Sequence, residues 1–279
     1  MKYNAIKFLI PILFYISPDL WAQNKDAVLK FGVIADIQYA DKDDHGTRFY
    51  RNSLQKLDAC VDSLNKTVPD FNVVYGDLVD QGTRDLQPVI DRLHRLKSPV
   101  HNILGNHDYV GAADIQNLYK QFEMPASYYS FEKEGWVFIV LNTNELSGYG
   151  VETGSSIYKE WESTKEKLSA SGRKNIYPWN GGISVQQLHW LEKQLINAEQ
   201  EEKNILVFSH HPLYPENGLE ALNNREILTL IQQHPRVRAI ISGHHHEGDF
   251  AYYGAIPVIT LEGMVETPRQ NAFGIITPI

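Results

Sequence analysis

The chain predicts an α/β fold, and three features of its sequence carry that expectation. Short apolar runs of strand length alternate with stretches whose apolar residues recur at helical spacing. No Pro/Gly-rich linker and no internal repeat divides the 279 residues, so a single domain is expected. The densest polar clusters each come directly after an apolar run, where an open α/β sheet gathers functional groups beyond the carboxyl ends of its strands.

The elements follow in order. Residues 29–35 read as a strand ending at Asp36. Leu54, Leu57, Val61 and Leu64 then form one apolar stripe of an amphipathic helix. Residues 71–75 are a second strand, ending at Gly76-Asp77. Residues 85–97 read as a helix with Pro88 in its first turn, where a missing N–H is tolerated. A short strand at 100–104 leads into Gly105-Asn106-His107-Asp108. The almost continuous apolar run 136–141 suits a strand covered on both faces. Residues 142–180 are polar and rich in Gly and Ser, a long and partly helical excursion. Ser184 with Gln187 predicts a capping box opening a helix that reaches about Glu201. Residues 205–208 and 237–241 are two more strands, ending at His210 and His244.

At 43% hydrophobic and 22% charged, the chain has enough apolar residues for an extensive core, which excludes disorder as a description of the whole. Lys and Arg number 26 against 34 Asp and Glu, a net charge of −8, and no basic run is present. Nucleic-acid backbones reward clustered cations, so no nucleic-acid partner is expected. Lys2 and Lys7 precede or open the apolar run 8–16, and small Ala22 stands before Gln23. That pattern predicts a secretory signal over 1–22, cleaved near Ala22, and an exported domain over 23–279 with no stable membrane anchor. The apolar run is short for a span and Pro11 interrupts it. Cys60 is the sole cysteine and has no internal disulfide partner; its helical setting predicts a small buried residue.

Taken singly, each polar cluster has an ordinary explanation. Asp36 suits a helix cap, Asp77 a Gly-Asp turn and Asn106 a left-handed turn. Together, Asp36/Gln38, Asp77/Asp80, Asn106/His107/Asp108, His210/His211 and His244/His245/His246 converge on one rim if each ends a strand. Carboxylates, imidazoles and amide oxygens without thiolates suit Mn²⁺, Fe or Zn²⁺. The donors are too many for one ion and fit two that share a carboxylate. Such a pair, roughly 3.5–4 Å apart, clamps phosphate and activates water for in-line attack.

Asp36-x-Gln38, Gly76-Asp77-x-x-Asp80, Gly105-Asn106-His107-Asp108, Ser209-His210-His211-Pro212 and Gly243-His244-His245-His246 resemble the motifs of calcineurin-like metallophosphoesterases, in the same order. The usual first motif has histidine where Gln38 stands. Residues 36–41, Asp-Ile-Gln-Tyr-Ala-Asp, are similar to the manganese-dependent ADP-ribose/CDP-alcohol diphosphatases, as are 180–191, 211–215 and 261–274.

The resemblance implies a four-layer sandwich with two central mixed β-sheets flanked by helices. It implies two divalent ions, with Mn²⁺ expected and Fe or Zn²⁺ as alternatives. Asp36, Gln38 and His246 would hold one ion, Asn106, His210 and His244 the other, and Asp77 would bridge. His107 would contact the scissile phosphate, Asp108 would orient His107 by a hydrogen bond, and Asp80 would support the metal loop. His211 and His245 are left outside the ligand set. The substrate would be a nucleoside diphosphate joined to a sugar or an alcohol. Tyr39, Asn180, Tyr214 and Arg225 are the substrate-binding candidates, with Trp179 beside them. Packing of the aromatics and a surface ion pair at Arg225 explain the same residues equally well. Glu262 and Glu266 either line the rim or shape its loop. The rival activity is a broad exported phosphatase, or a phosphodiesterase of nucleotides or cyclic nucleotides, using the same two ions.

Overall fold

The computed structural model describes residues 28–279, so the stretch read as an export signal lies outside the described residues. Among those described, no helix is long and apolar enough to cross a membrane.

Two mixed sheets stack face to face. In the first, β1 (Phe31–Ile34), β2 (Phe71–Tyr75) and β3 (Val100–Ile103) run parallel, and β10 (Phe273–Ile276) joins β1 antiparallel. The second has β5 (Trp136–Val140), β6 (Asn204–Phe208), β7 (Val237–Ser242) and β9 (Ile256–Glu262) in parallel. Its antiparallel edges are β4 (Tyr129–Lys133) and β8 (Glu247–Tyr253).

The sequence of β5 explains the layering. Trp136, Phe138 and Val140 enter the core between the sheets, while Val137 and Ile139 enter a second core beneath α5 (Val185–Gln200) and α6 (Asn224–Ile231). Successive side chains point to opposite faces, so an unbroken apolar run requires cover on both. On the other side, α1 (Asn52–Thr67) and α2 (Gln87–Leu93) bury Leu57, Cys60, Val61, Leu64 and Val89 against the first sheet. The result is the four-layer sandwich. Between the sheets, Phe31, Phe71, Phe138 and Phe208 meet at ring separations of 4.8 to 6.0 Å. Each such pair contributes about 0.5–1.5 kcal/mol beyond its buried area.

Three local expectations change. The helix expected over 85–97 splits into a short 3-10 turn, Gly82–Asp85, and α2, which ends at Leu93. Beyond it Asn65 of α1 takes the polar groups of the next turn, donating to the Arg95 carbonyl and accepting from Lys97 N–H at 2.8 Å each. Ser184 caps α5 by accepting from the Gln187 N–H at 3.1 Å, but only half of the capping box forms. The Gln187 amide instead accepts from Asn142 N–H at 2.8 Å and donates to Glu145 at 2.6 Å. The sequence reading also passed over β9, whose Pro257 interrupts an otherwise strand-like run. The proline is tolerated as the strand's second residue.

Candidate dimetal site

The predicted clusters do follow strand ends. Asp36 lies past β1, Asp77 past β2, Asn106 and His107 past β3, His210 past β6 and His244 past β7. β9 adds a further one, Glu262 to Glu266. Backbone bonds lace these ends together across both sheets. Asp36 N–H donates to the Gly76 carbonyl at 3.2 Å, Gln38 N–H to Asp77 at 2.7 Å, and Gly243 N–H to His210 at 3.0 Å. Val265 N–H donates to the Asp36 carbonyl at 2.9 Å.

The turns are tight. Asp36, Gln38, Asp77 and His244 have φ of 50°, 45°, 49° and 69°, a left-handed backbone that non-glycine residues adopt at a cost of about 1–2 kcal/mol each. Such strain persists where the surroundings over-determine it, as at functional sites. Two glycines provide the clearance. A Cβ on Gly76 would stand 2.4 Å from His210 Nδ1, and one on Gly105 would stand 2.1 Å from Asp77 Oδ1.

In one half of the site, ligand atoms of Asp36, Asp77 and His246 lie within 4.8 Å of one another. His246 donates from Nδ1 to Glu266 Oε1 at 2.7 Å, which leaves Nε2 facing Asp36 Oδ1 at 3.5 Å. Gln38 donates from Nε2 to Asp80 Oδ1 at 2.8 Å. Its Oε1 is buried and has no hydrogen-bond partner among the described residues. A buried acceptor left unpaired costs about 1–3 kcal/mol, and a cation relieves that cost.

In the other half, His210 donates from Nδ1 to the Tyr75 carbonyl at 2.8 Å. The Asn180 amide donates to the Asn175 and Gly218 carbonyls, so its oxygen accepts from His244 Nε2 at 3.2 Å. The two remaining imidazole nitrogens, His210 Nε2 and His244 Nδ1, face each other at 3.2 Å. Asn106 Oδ1 is 3.3 Å and Asp77 Oδ2 3.6 Å from His210 Nε2. Imidazole nitrogens, an amide oxygen and a carboxylate oxygen thus converge here, donor types that a divalent ion takes. His211 lies with His210 and His244 in this cluster, but both of its ring nitrogens are engaged: Nε2 donates to the Trp179 carbonyl at 3.0 Å and Nδ1 meets Thr143 Oγ1 at 2.9 Å.

Asp77 lies between the halves. Burial alone would lift its carboxyl, but His210, His107 and the His107 N–H, which donates to Oδ1 at 2.8 Å, hold it below the usual range. Burial opposes charge on His107 too, yet Asp77 and Asp80 raise it to about 9 in the metal-free protein. Burial likewise opposes charge on His246, which Asp36 and Glu266 raise to about 9. Burial and the neighbouring imidazoles push His244 well down.

The site floors a cleft of about 910 Å³, within the range of small-molecule sites. Arg48, Trp179, His245, Glu262, Gln270 and Asn271 contribute to its walls. Trp179 is exposed and stacked on Tyr177 at 4.9 Å.

Several expected roles shift. Asp108 does not touch His107; it is buried and accepts from Val79 N–H at 3.0 Å and Gly105 N–H at 2.8 Å. Asp80 takes that place, 3.1 Å from His107 Nδ1, while also holding Gln38, Gln81 and Lys42. Of the four substrate candidates, none lines the cleft. Tyr39 is partly buried against the larger hydrophobic core, and its phenol is raised by burial and by nearby Asp41 and Asp85. Tyr214 packs edge-on against Tyr253 at 5.6 Å. Arg225 is exposed and pairs with Glu216 through two bonds of 2.6 Å. Asn180 is buried behind His244. Glu266, whose role the sequence leaves open, and Arg48, which no motif marks, both line the cleft. A carboxylate beyond a strand end is the signal that β9, once recognised, supplies for Glu266.

Known proteins fit this geometry. The family profile described as calcineurin-like phosphoesterase matches residues 29–248. The manganese-dependent ADP-ribose/CDP-alcohol diphosphatase of Homo sapiens is 30% identical, over 92% of this chain and 89% of that protein. The crystal structure of a dimetal phosphatase from Danio rerio superimposes with a TM-score of 0.81 at 27% identity, covering 89% of this chain and 92% of that one. A purple acid phosphatase from yellow lupin seeds, at 13% identity and a TM-score of 0.55, shares the fold over 84% of this chain and 44% of its own. Two clusters of donors at the carboxyl ends of stacked sheets, in a chain matched along most of its length, make this a phosphohydrolase working with two divalent ions: the chain belongs to the calcineurin-like phosphoesterase family.

Proposed function

We propose that this chain hydrolyses the diphosphate bond of a nucleoside diphosphate joined to a sugar or an alcohol, such as ADP-ribose or a CDP-alcohol, using Mn²⁺. The end-to-end likeness to manganese-dependent ADP-ribose/CDP-alcohol diphosphatases, with Gln38 in the first ligand motif, carries the reading. Asp36, Gln38, Asp77 and His246 would hold one ion; Asp77, Asn106, His210 and His244 would hold the other. When bound, the ions would supply positive charge against the diphosphate and lower the pKa of a bound water.

The chain's own groups do the rest. Asp80 accepts from His107 Nδ1, which leaves Nε2 for the substrate. With His107 raised to about 9, the imidazolium is the form present at neutral pH. Attack of water forms one P–O bond and breaks the bridging one, and His107 protonates the departing phosphate oxygen. The exposed face of Trp179 offers a flat surface for a base. Residues 1–22 would direct export, and 23–279 would act as one catalytic domain on nucleotides outside the cytosol.

The test is product analysis of metal-stripped protein, reloaded with Mn²⁺, on ADP-ribose, CDP-choline, AMP and an aryl phosphate. Release of AMP with ribose 5-phosphate, and of CMP with phosphocholine, is expected, with AMP left intact. Preference for AMP or the aryl phosphate would replace the substrate by that of a broad phosphatase.

A further inference from the structure

We propose that Lys56, on α1, is a positioning residue for the His246 half of the site, acting through the 264–267 loop and Glu266. The inference rests on His246 being a metal ligand.

Lys56 is buried, and its Nζ donates to three backbone carbonyls: Met264, Glu266 at 2.8 Å and Thr267 at 2.9 Å. An ammonium has three N–H donors, and all three are used. Burial lowers its pKa to about 8, and the three loop carbonyls, with the Glu266 charge farther off, stabilise the ammonium. Thr267 stands at φ 59°, a backbone that a β-branched residue rarely adopts, and its carbonyl is one of the three. The Lys56 carbonyl in turn accepts from Asn271 Nδ2 at 2.6 Å, which ties down the next stretch of the cleft wall.

The loop is anchored from its other side by the metal floor. Met264 N–H donates to the Ala35 carbonyl and Val265 N–H to Asp36, both at 2.9 Å. Glu266 therefore leaves a backbone gripped by Lys56 on one side and by the Ala35-Asp36 turn after β1 on the other, and its carboxylate reaches His246 Nδ1 at 2.7 Å. A carboxylate behind a ligating imidazole sets the ring's orientation and basicity, and its loss typically weakens metal binding about 10–100-fold. Lys56 sets where that carboxylate stands.

A loop merely packed by Lys56 would behave differently, and Mn²⁺ titration of the metal-stripped protein, by calorimetry and by the paramagnetic signal of free Mn²⁺, separates the two. Lys56→Met should leave one ion at native affinity and weaken the other about tenfold or more. Glu266→Gln should weaken the same ion, and the double variant should bind no more weakly than Glu266→Gln alone. Two native sites in Lys56→Met, or losses that simply multiply, would overturn the inference. Lys56→Gln, which keeps two N–H donors without the charge, is measured in parallel. If circular dichroism shows neither variant folded, the inference also falls, because Lys56 then serves the core as a whole. His246→Ala provides the reference. If it leaves both ions bound as before, the ligand reading itself fails; if it weakens one while Lys56→Met does not, only the role of Lys56 is lost.

Discussion

Around His246 the site gathers two carboxylates and one imidazole with Glu266 behind it; around His210 and His244 it gathers imidazoles and the Asn106 amide oxygen, backed by the Tyr75 carbonyl and the Asn180 amide. Asp77 is common to both. The difference lies in where protons reside before any metal arrives. The anionic half raises His246 to about 9, so it holds a proton at neutral pH. In the imidazole half, burial and the neighbouring imidazoles push His244 well down, so its ring is neutral before any metal arrives. One edge of one fold thus gives His246 and His244 opposite proton linkage, because Asp36 and Glu266 flank the first while the second is buried among other imidazoles.

The comparison breaks most completely at Asp77. Asp77→Asn should remove both ions and lower turnover by at least about 10³-fold, as expected for loss of a central electrostatic group. Metal analysis that finds one ion held with native affinity would show that Asp77 is not shared. His107→Ala should lower turnover about 10²–10⁴-fold, the usual worth of a general acid. Both ions should stay bound, and near-normal turnover would end the proposed role of His107.

The third prediction sharpens the contrast itself. His246 is raised in the metal-free protein, so below about pH 9 an entering ion must displace its proton. Apparent affinity for that ion should rise about tenfold per pH unit up to about 9, whereas the other ion should show no such dependence on His244. Calorimetry in buffers of different ionisation enthalpy measures the proton release, and equal release for both ions would erase the distinction. The smallest effect is expected at Arg225, which belongs to neither half. Arg225→Ala removes an exposed pair with Glu216 and should leave KM and both ions unchanged. A raised KM would restore it as a substrate contact.

Much of this was readable from the chain. Strand runs, helical stripes and the polar residue after each run are local patterns, and Asp36, Asp77, Asn106, His210 and His244 follow from them because a parallel sheet places strand ends together. Reading failed where the partner was remote or the pattern interrupted. Pro257 concealed β9 and with it the strand-end position of Glu266. Asp108 follows His107 directly, yet neighbours in a tight turn point apart; Asp80, 27 positions earlier, meets the ring. Tyr214 and Arg225 stand near motifs in sequence and away from the cleft in space.

The sequence by itself determined the α/β class, the order of the donors and their chemical types, since periodicity and composition act over a few residues at a time; the two-sheet layering came only with the family resemblance. Only the tertiary structure decided which nitrogen of each histidine is held by a neighbour, that Gln38 buries its oxygen unpaired, and that Lys56 grips a loop 210 positions away. Those choices depend on which polar groups meet across the fold, and a hydrogen bond's direction is set by its partner, not by the residues on either side.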